Sequence, residues 1–328
     1  MRLPPQSAAR AIVVCLLTLI FAAFLNAKGM RKTAEIQQPG VQREVGLAVA
    51  RPLVGVSSFL HLTAPRHGIQ VALGRQSWDD IDTHVRFTFP PARHGTAVPV
   101  RAAPRKHRAV LPRFTAAHPL RVWVAGDSLA EVPGQGLQRV AGQAVDIVGV
   151  ESRLSTGLAR PDLYNWFLRI PSAARQLAPR VVVFSFGADD AHNYLAGVPN
   201  GRTVGPLGSA SWDAEYRRRV EGVTRELAAR GVYVVWLGLP IPAGSGFQHS
   251  FPIVNRILES VAKANPRTST YVDTWDMFDD AHGRYTPYLR EHGKLTLMRL
   301  PDGVHYTPAA GDLIARRVLA QLRSRFRF

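Results

Sequence analysis

Cysteine is almost missing from this chain of 328 residues: the single copy, Cys15, lies inside an apolar run. No intramolecular disulfide and no cysteine metal cluster can form from it. Val14 precedes it, where a lipoprotein signal needs a small residue, so that modification is excluded as well. Lysine is nearly as scarce. Only five of the 41 basic residues are lysine (Lys28, Lys32, Lys106, Lys263 and Lys294), and acidic residues number 24, which leaves a formal charge of +17. Such a balance fits nucleic acid, anionic lipid or an acidic polymer as a neighbour. What is absent argues against the first: there is no zinc-finger spacing, no aromatic RNA-binding signature and no heptad run behind a basic region. Apolar residues are not lacking. At 46% hydrophobic and 20% charged, the composition is that of a folded protein, which excludes disorder over most of the length.

The longest apolar run, Ala11 to Ala27, is free of charge. It is short for a membrane span and long for the core of a signal peptide. Leu25 stands where a cleavage site needs a small residue, so residues 1–32 are expected to form an uncleaved single-pass signal anchor. Arg2 and Arg10 before it, and Lys28, Arg31 and Lys32 after it, nearly balance the positive-inside rule. We expect the rest of the chain on the extracytoplasmic side of the cell membrane. Residues 33–84 read as a juxtamembrane helical stalk or small subdomain, with apolar spacing at Val45, Val49, Leu53, Val56 and Leu60. Pro52 is expected to kink or break that helix. Residues 85–118 turn rich in proline and arginine, including Arg93, Arg101, Arg105, Lys106, Arg108 and Arg113. That composition cannot bury a core and reads as an extended, exposed linker.

From residue 119 to 328 the pattern changes. Short apolar runs at Leu120–Ala125, Ala144–Val150, Val181–Phe186, Val232–Leu237 and, more weakly, Thr270–Asp273 read as strands. Helical stretches fit at Leu129–Ala141, Leu163–Leu177, Ala214–Arg230, Ile253–Ala264 and Pro308–Arg323. Five strands alternating with helices imply an α/β domain whose parallel sheet is covered on both faces. Ligands of such sheets bind at the carboxyl ends of the strands, so the residues just after each strand are the ones to read.

After the first strand comes Gly126-Asp127-Ser128. The plain reading is a helix N-cap. The chemical reading is a serine hydroxyl presented at a strand-to-helix turn, near the positive end of a helix. Near the C-terminus comes Asp302-Gly303-Val304-His305. A capping loop is again the plain reading. The chemical one is a base with its orienting carboxylate, because a serine hydroxyl is a poor nucleophile until an imidazole takes its proton.

Taken together, these blocks resemble the SGNH (GDSL-like) hydrolases. Gly-Asp-Ser matches the family's first block and Asp-x-x-His its last. Ser155-Thr156-Gly157 falls where the second block places a glycine, and Gly187-Ala188-Asp189-Asp190 falls where the third block, Gly-x-Asn-Asp, follows strand three. The surroundings, especially STGLARPDLYNW at 155–166, look like the actinobacterial branch called DUF459. The resemblance implies a three-layer α/β/α, flavodoxin-like domain with a five-stranded parallel sheet. It implies a triad of Ser128 as nucleophile, His305 as base and Asp302 as orienter. It implies an oxyanion hole drawn from the Ser128 and Gly157 N–H groups, and an esterase or O-acyltransferase acting on a small acyl ester of a carbohydrate or lipid. No cofactor or metal is expected. A membrane-bound acyl donor would be the partner of a transferase.

One position departs from the pattern. Asp189 stands where the family uses an asparagine side-chain N–H. An ionised carboxylate cannot donate and repels an oxyanion; loss of one such donor costs about 2.7–4 kcal/mol. Three alternatives stay open: Asp189 donates as a neutral acid, Asn193 one turn later takes its place, or the domain is a non-catalytic envelope-binding or scaffold module. Asp189, Asp190 and His192 could also be written as metal ligands. Without a complementary ligand set they read as a polar loop, with Asp190 bonding backbone.

Overall fold

The computed structural model describes residues 8–35, 37, 40–62, 64, 68–69, 87, 89, 111–198 and 204–328. They fall into two compact units, residues 1–85 and 86–328. In the first, α1 (Ala8–Leu25) has a mean hydropathy of 2.5 and buries none of its residues. At ~1.5 Å per residue it is about 27 Å long, enough to cross a bilayer core with little to spare. A short α2 (Ala27–Glu35) packs on α3 (Val41–Phe59). The Ser57 hydroxyl donates to the Phe24 carbonyl at 2.7 Å, tying α3 back to the end of α1. Helix α3 runs on through Pro52, so of the kink or break expected from sequence the break does not occur. A proline removes one intrahelical bond, and a helix held along its length by neighbours absorbs that loss.

The second unit is a three-layer α/β/α domain. Its strands are β1 (Leu120–Gly126), β2 (Val145–Ser152), β3 (Val181–Ser185), β4 (Tyr233–Leu237) and β5 (Ser269–Val272). All pair in parallel in the order β2-β1-β3-β4-β5. The central strand β3 reads Val-Val-Val-Phe-Ser and is buried throughout. A strand covered on both faces has no solvent side on which to alternate, and each such side chain contributes about 1.5–3 kcal/mol of burial. Between the strands run α4 (Glu131–Val140), α5 (Trp166–Leu177), α6 (Ala210–Ala229) and α7 (Ser245–Ala264); α8 (Pro308–Arg323) follows the sheet. Helix α4 packs on α8, and α6 packs on both α5 and α7. Starts are set by side-chain caps: Asn165 accepts from Leu168 N, Ser209 from Trp212 N, and Thr307 from Ala310 N ahead of the helix that opens on Pro308.

An antiparallel hairpin, β6 (Tyr288–Glu291) and β7 (Lys294–Leu297), was not foreseen. The linker expected at 85–118 lies mostly outside the described residues. Of its described parts, Pro112, Arg113 and residues 115–118 are exposed, while three phenylalanines pack on the domain. Phe87 stacks on Phe167 with ring centroids 3.9 Å apart, Phe89 meets the same ring at 5.3 Å, and Phe114 N donates to the Arg327 carbonyl at 2.7 Å.

Candidate active site

The turn after β1 begins the site. Asp127 caps it by accepting from Leu129 N at 2.9 Å, so part of the plain reading of Gly-Asp-Ser holds. Its other oxygen accepts from Gly187 N and Ala188 N at 3.0 and 3.1 Å, which pins the loop after β3 beside the loop after β1. Ser128 is then freed from capping duty. Its Oγ lies 2.8 Å from His305 Nε2. His305 Nδ1 lies 2.8 Å from Asp302 Oδ2, and Asp302 Oδ1 accepts from Val304 N and His305 N, both at 2.8 Å. With a neutral imidazole protonated at Nδ1, that N–H donates to the carboxylate and the serine hydroxyl donates to Nε2. Burial works against the Asp302 carboxylate, but the two N–H groups and the imidazole hold it below the ordinary carboxylate range. A turn at Gly303, with φ 71°, lets Asp302 and His305 meet; a Cβ there would lie 2.3 Å from Ala243 Cβ.

The loop after β2 supplies the next wall. Asp190 reaches it from the loop after β3, accepting from Leu158 N at 3.0 Å and Ala159 N at 2.7 Å, and from the Tyr216 hydroxyl at 2.6 Å. Arg219 holds the same loop by donating to the Leu158 and Ala159 carbonyls. Gly157 has to be glycine because a Cβ would lie 2.0 Å from Asp190 Oδ1. Among the described residues, neither Ser128 N–H nor Gly157 N–H donates a hydrogen bond.

Asp189 is half-buried in the loop after β3, and its carboxyl takes part in no hydrogen bond among the described residues. Its pKa is raised, first by burial and further by Asp190, with His192 and His305 opposing. Asp127, fully buried and next to Asp189 and Asp190, is pushed up to about 8 against the pull of the Leu129 and Gly187 N–H groups. Three carboxyls this close do not all ionise readily. Asn193 is engaged: its Nδ2 donates to the Asp189 carbonyl and its Oδ1 accepts from Arg160 Nη1 at 3.4 Å.

Arg299 is a residue that sequence reasoning missed. It is fully buried and has no carboxylate partner among the described residues. Nη1 donates to the Ile241 carbonyl at 2.8 Å, and Nη2 donates to Gly303 and Val304 carbonyls at 3.1 and 2.7 Å. The rings of Phe278, Tyr285 and Tyr306 surround it at 5.3–5.5 Å. Burial lowers its pKa. The guanidinium therefore sets the backbone of the turn that presents His305. We expect Arg299→Lys, which keeps the charge but loses the fork, to lower kcat about 10- to 100-fold with KM nearly unchanged. Steady-state kinetics checks this, and an unaltered kcat in a folded variant would refute the positioning role.

Comparison with known proteins gives a family. A model described as "Protein of unknown function (DUF459)" matches residues 121–321. No curated protein matches the chain. Among solved structures, a GDSL-like lipase from Bacteroides thetaiotaomicron is similar at 17% identity and a TM-score of 0.43, covering 62% of this chain and 88% of that one. A psychrotrophic esterase from Pseudoalteromonas is similar at 13% and 0.41, covering 62% and 97%. An acetyl-xylooligosaccharide esterase from Geobacillus is similar at 14% and 0.44, covering 62% and 93%.

Proposed function

The chain belongs to the DUF459 family, and from that premise we propose that its second unit is an SGNH-type serine esterase or O-acyltransferase. The observation that carries the reading is the continuous chain Ser128 Oγ–His305–Asp302, with 2.8 Å at each step. Ser128 attacks the ester carbonyl while His305 takes its proton. The Ser128 and Gly157 N–H groups receive the oxyanion. Collapse breaks the bond to the alkoxy group, which leaves with the proton from His305, and an acyl-serine remains. A second hydroxyl then attacks through the same base: water in an esterase, a sugar or lipid hydroxyl in a transferase supplied by a membrane-bound acyl donor. No dissociable cofactor enters these steps. A fluorophosphonate probe tests the reading. Labelling at Ser128 is expected, and a folded protein that stays unlabelled would reject it.

A second reading, a non-catalytic envelope-binding module, is favoured by one observation: the half-buried, unbonded carboxyl of Asp189 beside the triad. Probe labelling separates the two.

We place the domain outside the cytoplasmic membrane, tethered by α1, because that helix is long and apolar enough to cross it. Protease added to intact spheroplasts is expected to digest residues 86–328. Full protection of that unit would place it inside.

A further inference from the structure

At the edge of the sheet opposite Ser128, the amino ends of the strands, sits a cleft of 380 Å3. Arg180 precedes β3, Arg267 precedes β5, and Arg325 follows α8; all three line it, over a floor that includes Pro112, Tyr233 and Phe326. Among the described residues, no carboxylate lines the cleft. Two of the guanidiniums are fixed: Arg180 donates to the Gly231 carbonyl, and Arg325 donates to the Arg267 carbonyl while lying 5.4 Å over the Tyr233 ring. Arg113 and Arg327 are bridged to one another by backbone at the same edge. These five arginines make no ion pair among the described residues. The acids nearby are already matched, Asp146 by Arg121, Glu226 by Arg230 and Glu259 by Lys263. Basic residues near the carboxyl end of a helix answer the helix dipole; Arg267 and Arg325 follow α7 and α8 closely, but Arg113, Arg180 and Arg327 have no such explanation.

We propose that this edge is a binding surface for an anionic bilayer, with the phosphate of a lipid headgroup seated among Arg180, Arg267 and Arg325. Lipid is the source favoured here because the same chain carries α1, a helix able to cross a membrane, and each arginine near an anionic surface contributes roughly fivefold in affinity. Docking in this way turns the carboxyl edge of the sheet, with Ser128 and His305, away from the bilayer. That corollary rests on the esterase reading, and it points to an acceptor in the envelope polymer rather than in the lipid.

The full chain in nanodiscs tests it by hydrogen exchange. Peptides covering 178–182, 265–268 and 323–328 are expected to exchange about tenfold more slowly in phosphatidylglycerol discs than in phosphatidylcholine discs. Salt at about 1 M, where the Debye length is ~3 Å, should remove the difference. Arg180→Gln with Arg267→Gln and Arg325→Gln should abolish it without changing turnover of a soluble ester. Arg267→Gln alone, at a side chain with no internal bond among the described residues, should weaken it in a fold left intact. Equal exchange in the two discs overturns the surface. Protection by soluble polyglutamate in phosphatidylcholine discs, matching that of the anionic discs, overturns the lipid assignment. Protection at 153–160 and 300–306 in anionic discs overturns the orientation. The exchange readouts are independent of whether Ser128 is catalytic; only the ester control rests on the esterase reading.

Discussion

Ser128→Ala removes probe labelling and lowers ester turnover by about a million-fold, the loss expected when the nucleophile of a serine triad is deleted. His305→Ala falls nearly as far, because without the imidazole the hydroxyl keeps its proton. The two losses do not add in the double variant, since either change alone disables the unit. Asp302→Asn costs less, about 10^2- to 10^4-fold, because it holds the imidazole in the wrong tautomer without removing it. The lower end is expected here: the Asp302 side chain is 47% exposed, so water replaces part of its electrostatic contribution. Folding is unaffected in each case, as Ser128, Asp302 and His305 stand outside the buried core. Turnover of a model ester, probe labelling and circular dichroism check the series. Full activity in Ser128→Ala would remove Ser128 from the mechanism.

The five strands were legible because burial on both faces leaves continuous apolar runs, and each observed strand falls within two residues of its expected end. Helix starts were less so. Helix α7 begins at Ser245, eight residues before the expected Ile253, since Ser245–Pro252 reads as a loop until packing decides otherwise. The hairpin β6–β7 left a faint trace. His292 and Gly293 both have positive φ, 49° and 81°, as a two-residue hairpin turn requires. The strands flanking them are four residues each and half polar, which no periodicity resolves.

The site divides in the same way. Ser128, Asp302 and His305 were found by motif, and the structure brings them together. Gly157 lies against Asp190, with no room for a Cβ, and Asp190 bonds backbone as the polar-loop reading had it. What stayed hidden is the scaffold. Arg299 lies in no motif, and its role depends on three carbonyls brought close only by the fold. The same holds for Tyr216 and Arg219, which reach the loop after β2 from α6. A buried arginine in sequence looks like a surface one.

Asp189→Asn carries the second large effect, and its sign depends on pH. An oxyanion hole needs a donor where negative charge develops, and a carboxylate supplies one only when protonated. The geometry favours a protonated group: the Asp189 carboxyl has no donor to stabilise its ionised form, burial raises its pKa, and Asp190 adds to the rise. Wild-type turnover is therefore expected to fall as pH rises through the elevated Asp189 pKa. Asp189→Asn, a donor at every pH, flattens that limb and exceeds the wild type above it by about 10^2- to 10^3-fold, the worth of one oxyanion donor. Stability should follow the same direction. The folded-state pKa lies above the unfolded one, so the wild type loses stability as pH rises through it, and the variant does not. If Asp189 is instead ionised throughout, Asp189→Asn raises turnover at all pH values alike. If Asn193 is the donor, Asp189→Asn changes little and Asn193→Ala removes most of the activity. That outcome requires Asn193 to turn its amide away from the Asp189 carbonyl and Arg160. pH–rate profiles of the three proteins separate these cases. No turnover in any of them, with Ser128 unlabelled, would leave the non-catalytic module as the reading of this fold.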